Sequence, residues 1–216
     1  MTAFLTNGPE DATTWLLLAP GAGAPMTSGW MGRMSELLAE AGLHVVRFDF
    51  AYMTARQTSG SRRPPPKAER LISEYEAAVA DITAKRKGGQ LLIGGKSLGG
   101  RVASLAAQGL YDAGHIAGLV CLGYPFHPPD KPDQLRTQHL LALSCPTLIV
   151  QGTRDPFSGR DEVPGFGLPS AISVYWATDG DHDLAPRRAS GATLDSNLTA
   201  AANEIAGFAK RLAQAR

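Results

Sequence analysis

A chain of 216 residues that is 44% hydrophobic can bury one full α/β core and is not of disordered composition. Its formal net charge of +1, from 21 basic and 20 acidic residues, argues against a dedicated nucleic-acid surface and a polybasic membrane anchor. No apolar run approaches the roughly 20 residues that cross a bilayer, and the opening MTAFLTNGPEDATTW has no basic segment followed by an apolar one. A soluble, cytoplasmic protein without a signal peptide is expected. Cys121 and Cys145, both in apolar runs, are expected as buried free thiols.

In chain order, WLLLA (15–19) reads as a buried strand. Apolar spacing of three and four over Met31–Ala41 reads as a helix that Gly42 ends. HVVRF (44–48) is the next strand. The polar, proline-rich run 54–70 is expected to be a loop, neither strand nor helix interior. A helix over Glu69–Lys87 and a strand QLLIG (90–94) follow, then a helix over Leu98–Gly109. Next come AGLVCLG (117–123) as a strand, a helix over Gln134–Leu143, TLIVQ (147–151) and ISVYWA (172–177) as strands, and a last helix over Thr193–Ala215. Continuous apolar strands alternating with helices predict an α/β fold with a mostly parallel sheet covered on both faces, in one domain over residues 1–216. Ligands in such sheets bind at the carboxyl ends of the strands.

One such end carries GGKSLGGR (94–101), which contains two motifs at once. GKS resembles the end of a phosphate-binding loop, but the required first glycine falls on Gln90, and Leu91, Leu92 and Ile93 form a buried strand instead of a phosphate cradle. G-x-S-x-G between a strand and a helix is a nucleophile elbow. Ser97 must stand on a tight turn, and Gly95 and Gly99 remove side chains that would collide with neighbouring backbone. A nucleophilic serine needs a base, and the base an orienting acid. Asp155 follows the strand TLIVQ, and His182 follows ISVYWA, in the order serine, acid, histidine. Asp179 and Asp181 compete with Asp155 for the acid role, or else shape the loop around His182.

Six segments carry a family resemblance: LLLAPGAGAPM (16–26), HVVRFDFAYM (44–53), GGKSLGGRVAS (94–104), GYPFHPPDKPDQLRTQHL (123–140), QGTRDPF (151–157) and DGDHDL (179–184). They span nearly the whole chain, which resembles the α/β-hydrolases and, more narrowly, their KANL3/Tex30-like, dienelactone-hydrolase-like branch. The resemblance implies an α/β-hydrolase fold, Ser97, Asp155 and His182 as a catalytic triad, and an oxyanion hole from the Leu98 and Ala22 amides. It departs from the common pattern at Pro20-Gly21, where many relatives have His-Gly. Only residues 124–146 separate two strands where larger relatives insert a cap domain, so no cap is expected. The pocket would then be shaped by loops 50–68, 124–133 and 156–170 and suit small or exposed acyl groups.

Lys96, Tyr124, Phe126 and His127 are candidates to line that pocket, with ordinary loop packing the alternative. Asp49 is expected to hydrogen-bond a neighbouring loop. Arg101, one turn past Ser97, is expected in a buried ion pair beneath the elbow, with contact to an anionic substrate the alternative. Arg62 and Arg63, before three prolines, read as a solvated stiff loop or a partner site. The expected function is a serine hydrolase acting on small-molecule esters through an acyl-enzyme, with no metal or cofactor and no nucleic-acid or membrane partner. A non-catalytic interaction module on the same fold, or an acyltransferase using the same triad, remains the alternative. The sequence does not give an oligomeric state.

Overall fold

The computed structural model describes residues 2–60 and 64–215, so Arg62 and Arg63 lie outside the described residues. Seven strands form one sheet in the order β1-β3-β2-β4-β5-β6-β7. Six of them run parallel: β2 (Thr14–Ala19), β3 (His44–Phe48), β4 (Gln90–Lys96), β5 (Gly118–Leu122), β6 (Thr147–Gly152) and β7 (Ile172–Ala177). The seventh, β1 (Phe4–Asn7), is a short antiparallel edge strand on β3 and has no counterpart in the sequence reading.

The five inner strands, β2 to β6, are buried on both faces because alternate side chains feed two separate cores. Leu16 and Leu18 of β2 pack with Met31, Met34 and Leu38 of α1 (Gly29–Glu40) and with Leu198, Ala202 and Ile205 of α5 (Leu194–Gln214). Trp15, Leu17 and Ala19 pack with Tyr75, Ala78 and Val79 of α3 (Ile72–Lys85) and with Val102, Ala103 and Ala106 of α4 (Leu98–Asp112). Both thiols are free and buried.

Two expected elements differ. The run 54–70 is not all loop: α2 (Ala51–Ser59) covers its first six residues and stops at Gly60 in the left-handed conformation. The prolines begin only at Pro64, beyond that stop. The first free amide of α2, at Ala51, donates to Glu74 Oε2 at 2.8 Å. Conversely, 134–143 is not an α-helix and holds only a 3₁₀ turn at Leu140–Ala142. Backbone groups there are engaged elsewhere. The Arg136 amide donates to the Phe126 carbonyl at 2.7 Å, and the Arg136 carbonyl accepts the Tyr124 hydroxyl at 2.9 Å. Between β5 and β6 the chain has no inserted domain, and that connection brings only loop and a 3₁₀ turn to the carboxyl end of the sheet.

Candidate active site

Strand β4 ends at Lys96 and α4 begins at Leu98, which leaves Ser97 alone to make the turn. Its φ of 49° and ψ of −112° lie in the left-handed half of backbone space, a conformation that costs a non-glycine residue about 1–3 kcal/mol. The surroundings impose it. The Ser97 amide donates to the Leu122 carbonyl at the end of β5 at 2.9 Å, and its carbonyl accepts the Arg101 amide at 3.0 Å. The flanking glycines let α4 descend onto the sheet. A Cβ on Gly95 would sit 2.6 Å from both the Ala19 oxygen and the Gly99 carbonyl carbon. One on Gly99 would meet the Pro20 oxygen at 2.6 Å. Leu98 is the first residue of α4, so its amide has no intrahelical acceptor.

From this turn the Ser97 hydroxyl reaches His182 Nε2 at 2.9 Å, and His182 Nδ1 lies 2.9 Å from Asp155 Oδ2. An ionised carboxylate only accepts, so in the neutral ring Nδ1 carries the proton and Nε2 is left to accept from Ser97. Phe157 covers the imidazole, with ring centroids 4.3 Å apart. Asp155 is buried, and its oxygens are satisfied: Oδ2 also accepts Gln151 Nε2 at 2.9 Å, and Oδ1 accepts the Phe157 amide at 2.9 Å. Gln151 is itself fully buried and further accepts the Tyr124 amide at 2.7 Å, locking the β5 and β6 ends together. The sequence reading passed over Gln151. A glutamine on an otherwise apolar strand, four residues before the acid, was the available signal.

The rival aspartates face elsewhere. Asp179 is gripped by Arg187 at 2.6 Å and Arg154 at 2.9 Å, and the Arg187 guanidinium holds its carboxyl down at about 2. Asp181 Oδ1 accepts the Asp183 and Ala185 amides at 2.8 and 2.9 Å and so shapes the turn that carries His182. From below, the buried Asn197 of α5 donates to the Thr178 and Leu184 carbonyls on either side of that turn. Lys96 reaches up from β4 and donates to the His182 carbonyl at 2.7 Å while pairing with Asp183 at 3.0 Å. Burial pulls its ammonium below the usual lysine range, and Asp183 opposes that shift.

The loop 20–28 faces Ser97 from the other side. Asp49 accepts the Met26 amide at 2.7 Å, Arg47 donates to the Met26 carbonyl at 2.8 Å, and Arg56 of α2 donates to the Ala22 carbonyl at 2.7 Å. Asp49 therefore has the loop-holding contact expected of it. The Pro20-Gly21 loop has its support from β3 and α2.

Two cavities flank Ser97. The smaller, of about 300 Å³, is walled by 21–24, Ser28, Trp30, Met31, Lys96 and His182–Asp183. The larger, of about 620 Å³, is walled by Ala22, 65–69, Leu98, Arg101, Pro125, Arg136 and Phe157. Of the four expected lining residues, Lys96 lines the smaller of these two cavities and the other three line neither. Tyr124 and Phe126 turn into the core, stacked edge to face at 4.8 Å, because an apolar ring gains more there than at an open rim. His127 is buried against the Pro128 carbonyl and Glu162. Arg101 pairs with Glu69 at 2.7 Å, and this pair stands at the half-exposed rim instead of beneath the elbow. Among the described residues no cluster of three or more His, Cys, Asp or Glu side chains is placed to hold a metal, and no helix is long and apolar enough to cross a membrane.

The fold has parallels among solved structures. The lid-less serine hydrolase XC6422 of Xanthomonas campestris superposes with a TM-score of 0.66 at 18% identity, over 99% of this chain and 88% of that one. Est1E of Butyrivibrio proteoclasticus with ferulic acid bound gives 0.71 at 14% identity, over 100% and 96%. A dienelactone hydrolase from Anabaena variabilis gives 0.69 at 19% identity, over 97% and 91%. At these identities the likeness is one of fold. The family itself is given by residues 12–210, which match the model of the alpha/beta hydrolase domain, and the chain belongs to that family.

Proposed function

We propose that the chain is a cytoplasmic serine hydrolase of small or exposed esters, working as one catalytic domain of the KANL3/Tex30-like branch. The observation that carries this reading is the unbroken hydrogen-bonded line from Asp155 through His182 to Ser97, both links at 2.9 Å, ending on a serine in strained backbone.

In this mechanism His182 Nε2 takes the Ser97 proton as Oγ attacks the ester carbonyl carbon. Asp155 holds the ring in the required tautomer and stabilises the imidazolium. The Ala22 and Leu98 amides donate to the oxyanion of the tetrahedral intermediate, helped by the N-terminal end of α4. Collapse breaks the ester C–O bond, and His182 returns the proton to the leaving alkoxide. Water then loses a proton to His182 and attacks the acyl-enzyme; the acid leaves as Ser97 regains the proton.

Intact-mass spectrometry after a fluorophosphonate tests this. One adduct is expected on the native chain and none on Ser97→Ala, with ester turnover falling on the order of 10⁴-fold or more in the variant. A folded native chain that takes no adduct, or a variant that keeps most of its turnover, overturns the reading.

A further inference from the structure

The larger cavity beside Ser97 is unevenly charged. Lys67, Arg101 and Arg136 stand on its wall with only Glu69 against them. Arg101 is committed to Glu69. Arg136 is not committed: among the described residues its guanidinium has neither a hydrogen-bond nor an ion-pair partner, although the residue is half-buried. Burial and the neighbouring Arg101 charge both pull its pKa below the usual arginine value, and Glu69, itself paired with Arg101, opposes them only in part.

Its main chain is nonetheless fixed. The Arg136 backbone is clamped at both ends, amide to the Phe126 carbonyl and carbonyl to the Tyr124 hydroxyl. The clamping residues are fully buried. The fold therefore holds an unpaired guanidinium over a cavity that shares its wall with the Ser97 elbow and the Ala22 and Leu98 segments.

Resting on the esterase reading above, we propose that this cavity is a carboxylate subsite in which Arg136 binds a negatively charged end of the substrate, so that the preferred esters carry a free carboxylate. A guanidinium presents two parallel N–H groups that match a planar carboxylate bidentately. Arg136 offers one fork, the number that a single carboxylate engages.

The test is a titration of the full chain with glutarate, followed by backbone amide NMR shifts, in the native protein, Arg136→Gln and Arg136→Lys. The same spectra report whether each variant is folded. Saturable shifts centred on Leu98 and Arg136 are expected, with affinity about tenfold weaker in Arg136→Gln and an intermediate loss in Arg136→Lys. Glutaramide, which is neutral, should give no saturable shifts. Absence of saturation, equal affinity in the native chain and Arg136→Gln, or tighter binding of inorganic phosphate than of glutarate overturns the proposal. Because this measurement reads binding, it is independent of Ser97 reactivity. A chain that binds glutarate through Arg136 but takes no fluorophosphonate keeps the subsite and loses the esterase reading; one that takes the reagent but ignores glutarate does the reverse.

Discussion

The floor and the rim of the site are built on opposite principles. In the floor, backbone touches backbone: the Ser97 turn hangs between β4, β5 and the loop after β2, and the glycines on either side have no room even for a methyl group. In the rim, side chains meet side chains at distances that solvent reaches, as in the Arg101–Glu69 pair, whose carboxylate is half exposed. Backbone contact tolerates no substitution and fixes an atom to within a fraction of an ångström, whereas side-chain pairs yield at little cost. Groups that must be aimed belong in the floor. Groups that select among partners belong in the rim.

Substitutions of graded severity test that division. Gly99→Ala strikes the floor directly and should cost about 3 kcal/mol or more, because the intruding methyl meets main chain and not a movable side chain. Urea denaturation reads it, and a loss below about 1 kcal/mol would mean that α4 slides freely over β2. Gln151→Ala removes a donor from Asp155 and strands the buried Tyr124 amide. We expect a loss of about 1–3 kcal/mol in stability and, from a displaced Asp155, roughly 10²-fold in kcat/KM for an ester. A variant less stable yet equally active would show that His182 and the Phe157 amide hold Asp155 in place without Gln151.

The boundary between floor and rim contains a titratable probe. His139 bonds Ser104 Oγ at 2.8 Å; burial, then the Arg101 charge, pushes its ring down to about 4, while Glu69 acts weakly the other way. An unfolded chain returns the ring to 6.5, so the unfolded state binds more protons between these values. The stability that comes from keeping His139 neutral is therefore complete above about pH 6.5 and is lost as pH falls towards 4. In Tm-against-pH curves, His139→Gln should flatten that fall, and curves that stay parallel would contradict it. The mildest change is Glu69→Gln at the rim. Its stability should stay within about 1 kcal/mol of the native value, and a larger loss would place the rim pair among the structural contacts.

The same division governs how much of the molecule can be read from its sequence. Five strands were legible because strands buried on both faces are continuous apolar runs, β7 because its β-branched and aromatic residues mark a strand even where it is part-exposed, and the elbow because its glycines are required by backbone geometry. The line of Ser97, His182 and Asp155 followed from where strands end. The edge strand β1 was not legible: four half-covered residues have no pattern that distinguishes them from a coil. The helix α2 was hidden because it buries only Met53 and borrows its cap from Glu74, far along the chain. The rim was misread for a related reason. Tyr124, Phe126 and His127 directly follow a strand, but whether such residues face solvent or core is decided by what later segments bring against them, here Phe166, Gln151 and Glu162.

The absence of an insertion between β5 and β6 has a kinetic consequence. The His182 side chain remains 21% exposed with the floor fully assembled. An acyl group carried on Ser97 would therefore stay in contact with bulk water. Any alcohol or amine acceptor would have to outcompete the solvent itself. Partitioning of the intermediate should then follow acceptor concentration smoothly, and added alcohol should divert product only in proportion to its share of the nucleophiles present.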